Sequence, residues 1–171
     1  MAVRPIRSYP ESVLRHKAQL VTCIDATLQR LIDDMIETMY AAPGIGLAAC
    51  QVGVSLQLFV VDITGGKDPN ALRTFINPTI VSTAGKRQED EGCLSVPGIY
   101  GLTPRAERVL LRSTTRDGKE VEVGGEGLLA RALQHELDHV QGKLFFDRMG
   151  RVGRDLVKRK YKRAQRQSQR S

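Results

Sequence analysis

QHELDHVQG, residues Gln134 to Gly142, holds two of the chain's three histidines, four residues apart, with a glutamate directly after the first. Leu128, Leu129, Ala132, Leu133 and Leu137 recur at helical spacing around it, so Glu126 to about Val140 reads as an amphipathic helix. On a helix, positions i and i+4 lie roughly 6 Å apart and about 40° apart in azimuth. His135 and His139 can therefore aim their imidazoles at one point, with Glu136 flanking that point without being a ligand. This is the H-E-x-x-H arrangement of metallohydrolases; the plain alternative is two surface histidines on a helix. Three fixed positions recur by chance in roughly 2% of chains this long, so the pattern calls for a third ligand elsewhere.

Cys93, in EDEGCLSVPG, is the best candidate: it follows three acids in a segment that reads as a loop before Pro97, where a thiol has no obvious core role. Cys23 and Cys50 read as packing residues, and an ordinary small residue is the alternative for Cys93 too. A Cys-His-His site with water as fourth ligand is catalytic in type, because a structural site closes with a fourth protein ligand. Glu136 would then take a proton from that water and deliver it to a leaving nitrogen. A thiolate among the ligands suits zinc or ferrous iron.

Upstream, Leu28, Leu31, Ile32, Met35, Ile36 and Met39 keep a helical period over residues 25 to 41, with Asp25 as cap and Pro43-Gly44 as stop. GIGLAACQVG follows, then LQLFVVDI, a continuous apolar run expected to be a buried strand ending near Asp62. TFINPTIVS reads as a strand whose Asn77-Pro78 confines it to an edge or a bulge. Residues 106 to 123 read as a hairpin turning at Asp117-Gly118. The expected class is α+β: mixed or antiparallel sheets around the central H-E-x-x-H helix, in one catalytic domain over 1–150, with a basic helix or tail over 151–171.

With 171 residues and 41% hydrophobic content, the chain suffices for one core. It carries no apolar run of signal-peptide or membrane-span type, which predicts a soluble, intracellular protein with no membrane partner. Three cysteines do not make a disulfide framework, so a reducing compartment fits. Of the net charge of +7, residues 148 to 171 carry ten Lys or Arg against Asp155 alone, a local +9 that leaves about −2 for the rest. The basic character therefore belongs to the C-terminus and concerns a partner.

Three segments taken together resemble the peptide deformylases: GIGLAACQ (Gly44 to Gln51), EGCLS (Glu91 to Ser95) and QHELDH (Gln134 to His139), in that family's order and at similar spacing. FINP at Phe75 to Pro78 and the basic tail extend the likeness over nearly the whole chain. The resemblance implies a hydrolase that removes the N-formyl group from the formylmethionine of nascent polypeptides, releasing formate. It implies one divalent metal ion per chain, Fe2+ or in its place Zn2+, Ni2+ or Co2+, held by Cys93, His135 and His139, with Glu136 as general acid and base. It also implies that the Gln51 side-chain amide and the Leu94 N–H face the charge developing on the formyl oxygen. Gly44 and Gly46 would admit a peptide pairing in extended form, and Ile45, Leu128 and the segment around Ile99 would wall the methionine pocket. Arg131 falls where an apolar wall residue is easier to explain, so either its stem packs and its head reaches water or the mouth is polar. GIYG, residues 98 to 101, reads as a loop without a charged group to grip the substrate backbone.

Glu91 and Arg105 flank the cysteine segment and are expected to pair in support of Cys93, two unrelated surface charges being the alternative. Asp138 is either a solvated helix residue or an orienting partner. By resemblance the basic tail docks on the ribosome, and a formylating translation system implies the bacterial cytoplasm, or an organelle of bacterial descent. Two alternatives remain: another H-E-x-x-H metallohydrolase, such as a peptidase, and a ribosome- or nucleic-acid-binding protein with a structural metal site.

Overall fold

The computed structural model describes residues 1–170 and buries residues 57–62 of the run LQLFVVDI. Its strand β2 (Leu58–Val61) is buried at every position. Leu58 and Val60 pack with Leu31, Met35 and Met39 of helix α1 (Ala26–Ala41), whereas Phe59 and Val61 pack with Ala130, Leu133 and Leu137 of helix α2 (Gly127–Val140). Both faces are covered, so the run has no polar alternation. Helix α1 starts where the Asp25 carboxylate accepts the Leu28 N–H at 2.9 Å, as the spacing predicts.

Five antiparallel strands form the main sheet in the order β1 (Gly46–Ala48), β2, β3 (Arg73–Ala84), β6 (Arg108–Thr114), β7 (Glu120–Glu126). The strands β4 (Arg87–Cys93) and β5 (Val96–Arg105) form a second, two-stranded sheet. Every ladder is antiparallel, which settles the choice between mixed and antiparallel sheets; one isolated parallel bridge joins Gln19 and Leu56. Strand β3 lies inside the sheet order, and a register shift between Ile76 and Thr79 absorbs Asn77-Pro78, so of edge and bulge the structure takes the bulge. Phe59 and Phe75 stack with centroids 4.7 Å apart, and truncating either to alanine should cost about 3–5 kcal/mol.

EDEGC and GIYG both read as loops, and both are strands: the first closes β4 and the second lies within β5. The first is polar because β4 buries only Glu91 and draws its stability from pairing with β5; the second buries Ile99 between two glycines. The Asp117-Gly118 turn is as expected, with Gly118 at φ +81° between β6 and β7.

Helix α3 (Arg151–Ser168) forms from the basic segment and is docked onto the body. Val157 and Tyr161 enter a cluster with Val96, Ile99 and Phe146, and the Tyr161 hydroxyl donates to the Tyr9 carbonyl at 2.7 Å. The cations Arg159, Lys160, Lys162, Arg163 and Arg166 remain exposed.

Candidate metal centre

Strand β7 runs without a loop into α2, so the sheet sets the azimuth of that helix and of His135, Glu136 and His139 on it. The β4–β5 ladder closes at Cys93 opposite Val96, leaving Leu94 and Ser95 as a two-residue turn and Cys93 at its tip. The tip meets the helix: Cys93 Sγ lies 3.3 Å from His139 Nε2, which lies 3.2 Å from His135 Nε2. The three donor atoms fall within 4.8 Å of one another. Sequence spacing places the two imidazoles together; the second sheet brings the thiol.

The outer nitrogen of His135 decides its tautomer. Its Nδ1 lies 2.7 Å from Glu91 Oε2, and Arg105 forks onto the same carboxylate through Nε at 3.0 Å and Nη2 at 2.6 Å. Burial pushes Glu91 up, but the hydrogen bonds and charges of His135 and Arg105 outweigh it and hold the group at about 2. An ionised carboxylate only accepts, so His135 Nδ1 carries hydrogen; burial works against a charge on the ring, but Cys93 and Glu91 raise it well above the ordinary histidine range, so Nε2 must give up its proton as a metal binds. Two imidazole nitrogens and a sulfur converging on one point fit a borderline divalent cation. Burial and the charges of His135 and Arg105 press His139 well below the ordinary histidine range, so it stays neutral, as a ligand requires.

Glu136 is 4% exposed, its Oε2 has no hydrogen-bond partner among the described residues, and burial raises it to about 7. A carboxyl poised there can both accept and return a proton near neutral pH. It packs against Gly46 of β1, where a Cβ would lie only 2.9 Å from the Glu136 carboxyl carbon. A side chain at 46 would displace the Glu136 carboxyl from this place.

Gln51 is buried, and its Oε1 accepts the Ala48 N–H at 2.9 Å, which fixes which way the amide faces. Its Nε2 then points at the site, donating to Ser95 Oγ at 3.1 Å and leaning on Cys93 Sγ at 3.6 Å. Leu94 lies in the turn outside the ladder, so its N–H is not committed to a strand partner.

A cavity of about 490 Å³ opens beside these groups. Gly44, Ile45, Gly46, Gln51, Glu91, Cys93, Leu94, Ile99, His135 and Glu136 line it, so most residues singled out from the sequence meet on one surface. Leu128 does not: it lies in the first turn of α2, is 39% exposed and is outside the lining, which Arg131 and Ala132 supply one turn further on. Arg131 resolves toward a polar mouth, with Nη1 on Glu89 Oε2 at 2.6 Å. Arg105 pairs with Glu91 as expected, and Asp138 is buried rather than solvated, 2.5 Å from Arg105 Nη1. Ser95 went unmarked in the sequence although it closes EGCLS; its Oγ holds Gln51 and its N–H points at Cys93 Sγ at 3.4 Å.

A family model described as polypeptide deformylase matches residues 3–155. The chain belongs to that family. Peptide deformylases of Syntrophobacter fumaroxidans and Thermodesulfovibrio yellowstonii are 52% and 48% identical to it, each over 95% of this chain and over 96% and 98% of their own length. A crystal structure of a peptide deformylase from Legionella pneumophila superposes with a TM-score of 0.92 at 47% identity, covering 99% of both chains. The deformylases are metal-dependent enzymes, and Cys93, His135 and His139 form a possible metal site.

Proposed function

We propose that this chain removes the formyl group from the N-terminal formylmethionine of nascent polypeptides, releasing formate and a free amine. The observation that carries the reading is the convergence of Cys93, His135 and His139, with Cys93, His135 and the Glu136 carboxyl, whose Oε2 has no partner among the described residues, on one cavity wall. Cys93, His135 and His139 would hold the metal, which when bound supplies Lewis acidity toward water and the formyl carbonyl. Ferrous iron is the proposed native ion, with zinc, nickel or cobalt able to replace it.

The chain's own groups do the rest. Glu136 takes a proton from the water that adds to the formyl carbon and delivers one to the amine nitrogen as the C–N bond breaks. The Gln51 N–H that leans on sulfur at 3.6 Å is its weaker bond, free to turn to the formyl oxygen together with the Leu94 N–H. Removing one such donor elsewhere costs about 10²–10³ in rate. Gly44 to Gly46 offers backbone for an extended peptide, and Ile45, Ile99 and Ala132 give apolar wall for methionine.

The exposed cations of α3, with Val152 84% exposed and Leu156 50% exposed beside them, are the proposed contact with the ribosome, through attraction to phosphate. The place of action is the bacterial cytoplasm, or an organelle with the same formylating translation.

The test is formate release from a formyl-Met peptide, anaerobically with ferrous iron or with added nickel, comparing the chain with Glu136→Gln. Release that depends on Glu136 supports the reading. A fully loaded chain that releases no formate, or that cuts peptide bonds instead, would overturn it.

A further inference from the structure

Behind α2, away from the metal ligands, lies a larger cleft of about 1060 Å³. Gln134, Leu137, Asp138 and Gln141 line it as one stripe of the helix, with Arg105 and Arg148 beside them. Among the described residues no set of metal donors converges there. What the cleft reaches is the outer end of a chain of charges that runs through the molecule to His135.

Arg148 Nη2 donates to Asp138 Oδ1 at 2.6 Å, and its Nε spans both carboxylate oxygens at 3.1 and 3.2 Å. Asp138 Oδ2 accepts Arg105 Nη1 at 2.5 Å, Arg105 forks onto Glu91, and Glu91 accepts from His135 Nδ1. The side chains of Glu91, Arg105 and Asp138 are 5–6% exposed, whereas Arg148 is 43% exposed. We propose that Arg148 is a positioning residue for the metal centre, acting through Asp138, Arg105 and Glu91 on His135.

Charge balance is the reason. Glu91 and Asp138 carry two buried negative charges, and Arg105 supplies one positive charge between them. With His135 neutral as a metal ligand, Arg148 is the one other cation paired with this group, so without it the group holds one uncompensated negative charge, a costly arrangement. Asp138 would then draw Arg105 toward itself. The fork on Glu91 loosens, and the His135 Nδ1–H loses its fixed acceptor, so Nε2 is no longer held in its aim. Arg148 ends the short turn Phe145–Arg148 just ahead of α3, which places the root of the basic helix against this chain of charges.

The inference rests on His135 being a metal ligand. The experiment loads the full chain with zinc and follows zinc transfer to a chromogenic chelator in wild type, Arg148→Met, Arg148→Lys and the double variant Asp138→Asn/Arg148→Met. Arg148→Met should release zinc 10–100-fold faster, the usual range for removing an outer partner of a metal ligand. Arg148→Lys should fall between, keeping the charge and losing the fork. The double variant should recover most of the loss, because asparagine needs no counter-ion and Glu91 with Arg105 is neutral. In parallel, 15N NMR should show the His135 Nδ1–H exchanging with water faster in Arg148→Met than in wild type or the double variant. Zinc release within twofold of wild type in Arg148→Met, or a double variant as fast as the single, would overturn the proposal. A wild-type chain that takes up no zinc would overturn the metal reading itself, and this inference with it.

Discussion

Gly46→Ala should disable the enzyme without touching a metal donor. The added Cβ would lie 2.9 Å from Glu136 Cδ and 3.0 Å from Cγ, and closer still to Oε1. Ordinary carbon–carbon contact begins at about 3.5 Å, so the carboxyl must retreat by about 0.6 Å at carbon and more at oxygen. A misplacement approaching 1 Å at a reacting group costs about 10²-fold, or about 2.7 kcal/mol on the barrier. Overpacking of this kind costs about 1–3 kcal/mol of stability, so the fold should survive. The assay is kcat/KM for a formyl-Met peptide together with bound metal per chain and Tm. Expected are metal content unchanged and kcat/KM down about 100-fold. Gly44→Ala is the comparison: its Cβ would clash with the Leu94 Cδ1 methyl at 2.8 Å, the end of a side chain that can turn away, and make ordinary contact with the Gly46 and Met39 carbonyls, so the loss there should stay under about tenfold. In a Glu136→Gln background, Gly46→Ala should add little. Half or more of the activity retained in Gly46→Ala, or a full additional loss in the Glu136→Gln background, would refute the reasoning.

The Glu91 carboxyl is held at about 2 against an ordinary 4.5, so its stabilisation is complete above about 4.5 and is lost as pH falls toward 2. The difference is worth on the order of 3 kcal/mol; urea midpoints against pH should show wild type losing stability over that window, with Glu91→Gln weaker at pH 7 and flatter below 4.5. Tyr161→Ala removes a ring 4% exposed and its bond to the Tyr9 carbonyl, and calorimetry should find the fold weaker by about 3–5 kcal/mol, which makes charge reversal at Arg159, Lys162 and Arg163 a cleaner test of ribosome contact than truncation after Gly150. Those reversals should leave formate release from a short peptide unchanged and weaken sedimentation with ribosomes, less so as salt rises; unchanged sedimentation removes α3 from the contact. Chelation should abolish formate release and lower Tm, and a divalent metal should restore both; release that persists in chelator would exclude a metal role.

Helices and the buried strand were legible because their signals are local. The period of three to four around Leu128, Leu133 and Leu137 needs no partner to be seen, and neither does the cap at Asp25 or the turn at Asp117-Gly118. The β4–β5 hairpin was not legible. Its residues RQEDEGC carry neither alternation nor apolar weight, because that sheet is held by pairing with Val96–Arg105. The same gap hid the role of Asp138: an aspartate between a leucine and a histidine on a helix looks solvated until Arg105 and Arg148 arrive from elsewhere. Leu128 shows the converse, a residue of the right type that lies one helical turn from the cavity lining.

The sequence alone determined the identity of the groups: an i, i+4 histidine pair with its glutamate, a cysteine in EGCLS, a glutamine after GIGLAAC, and a C-terminus carrying the net charge. Which of them meet was decided by tertiary structure. A β7–α2 junction without a loop aims the histidines, a two-residue turn between β4 and β5 brings Cys93 to them, and Gly46 lets Glu136 lie against the backbone. Spacing along a helix fixes only what lies within one or two turns, whereas a three-donor site is closed by residues some forty positions apart, and only the packing of one sheet against one helix sets that distance.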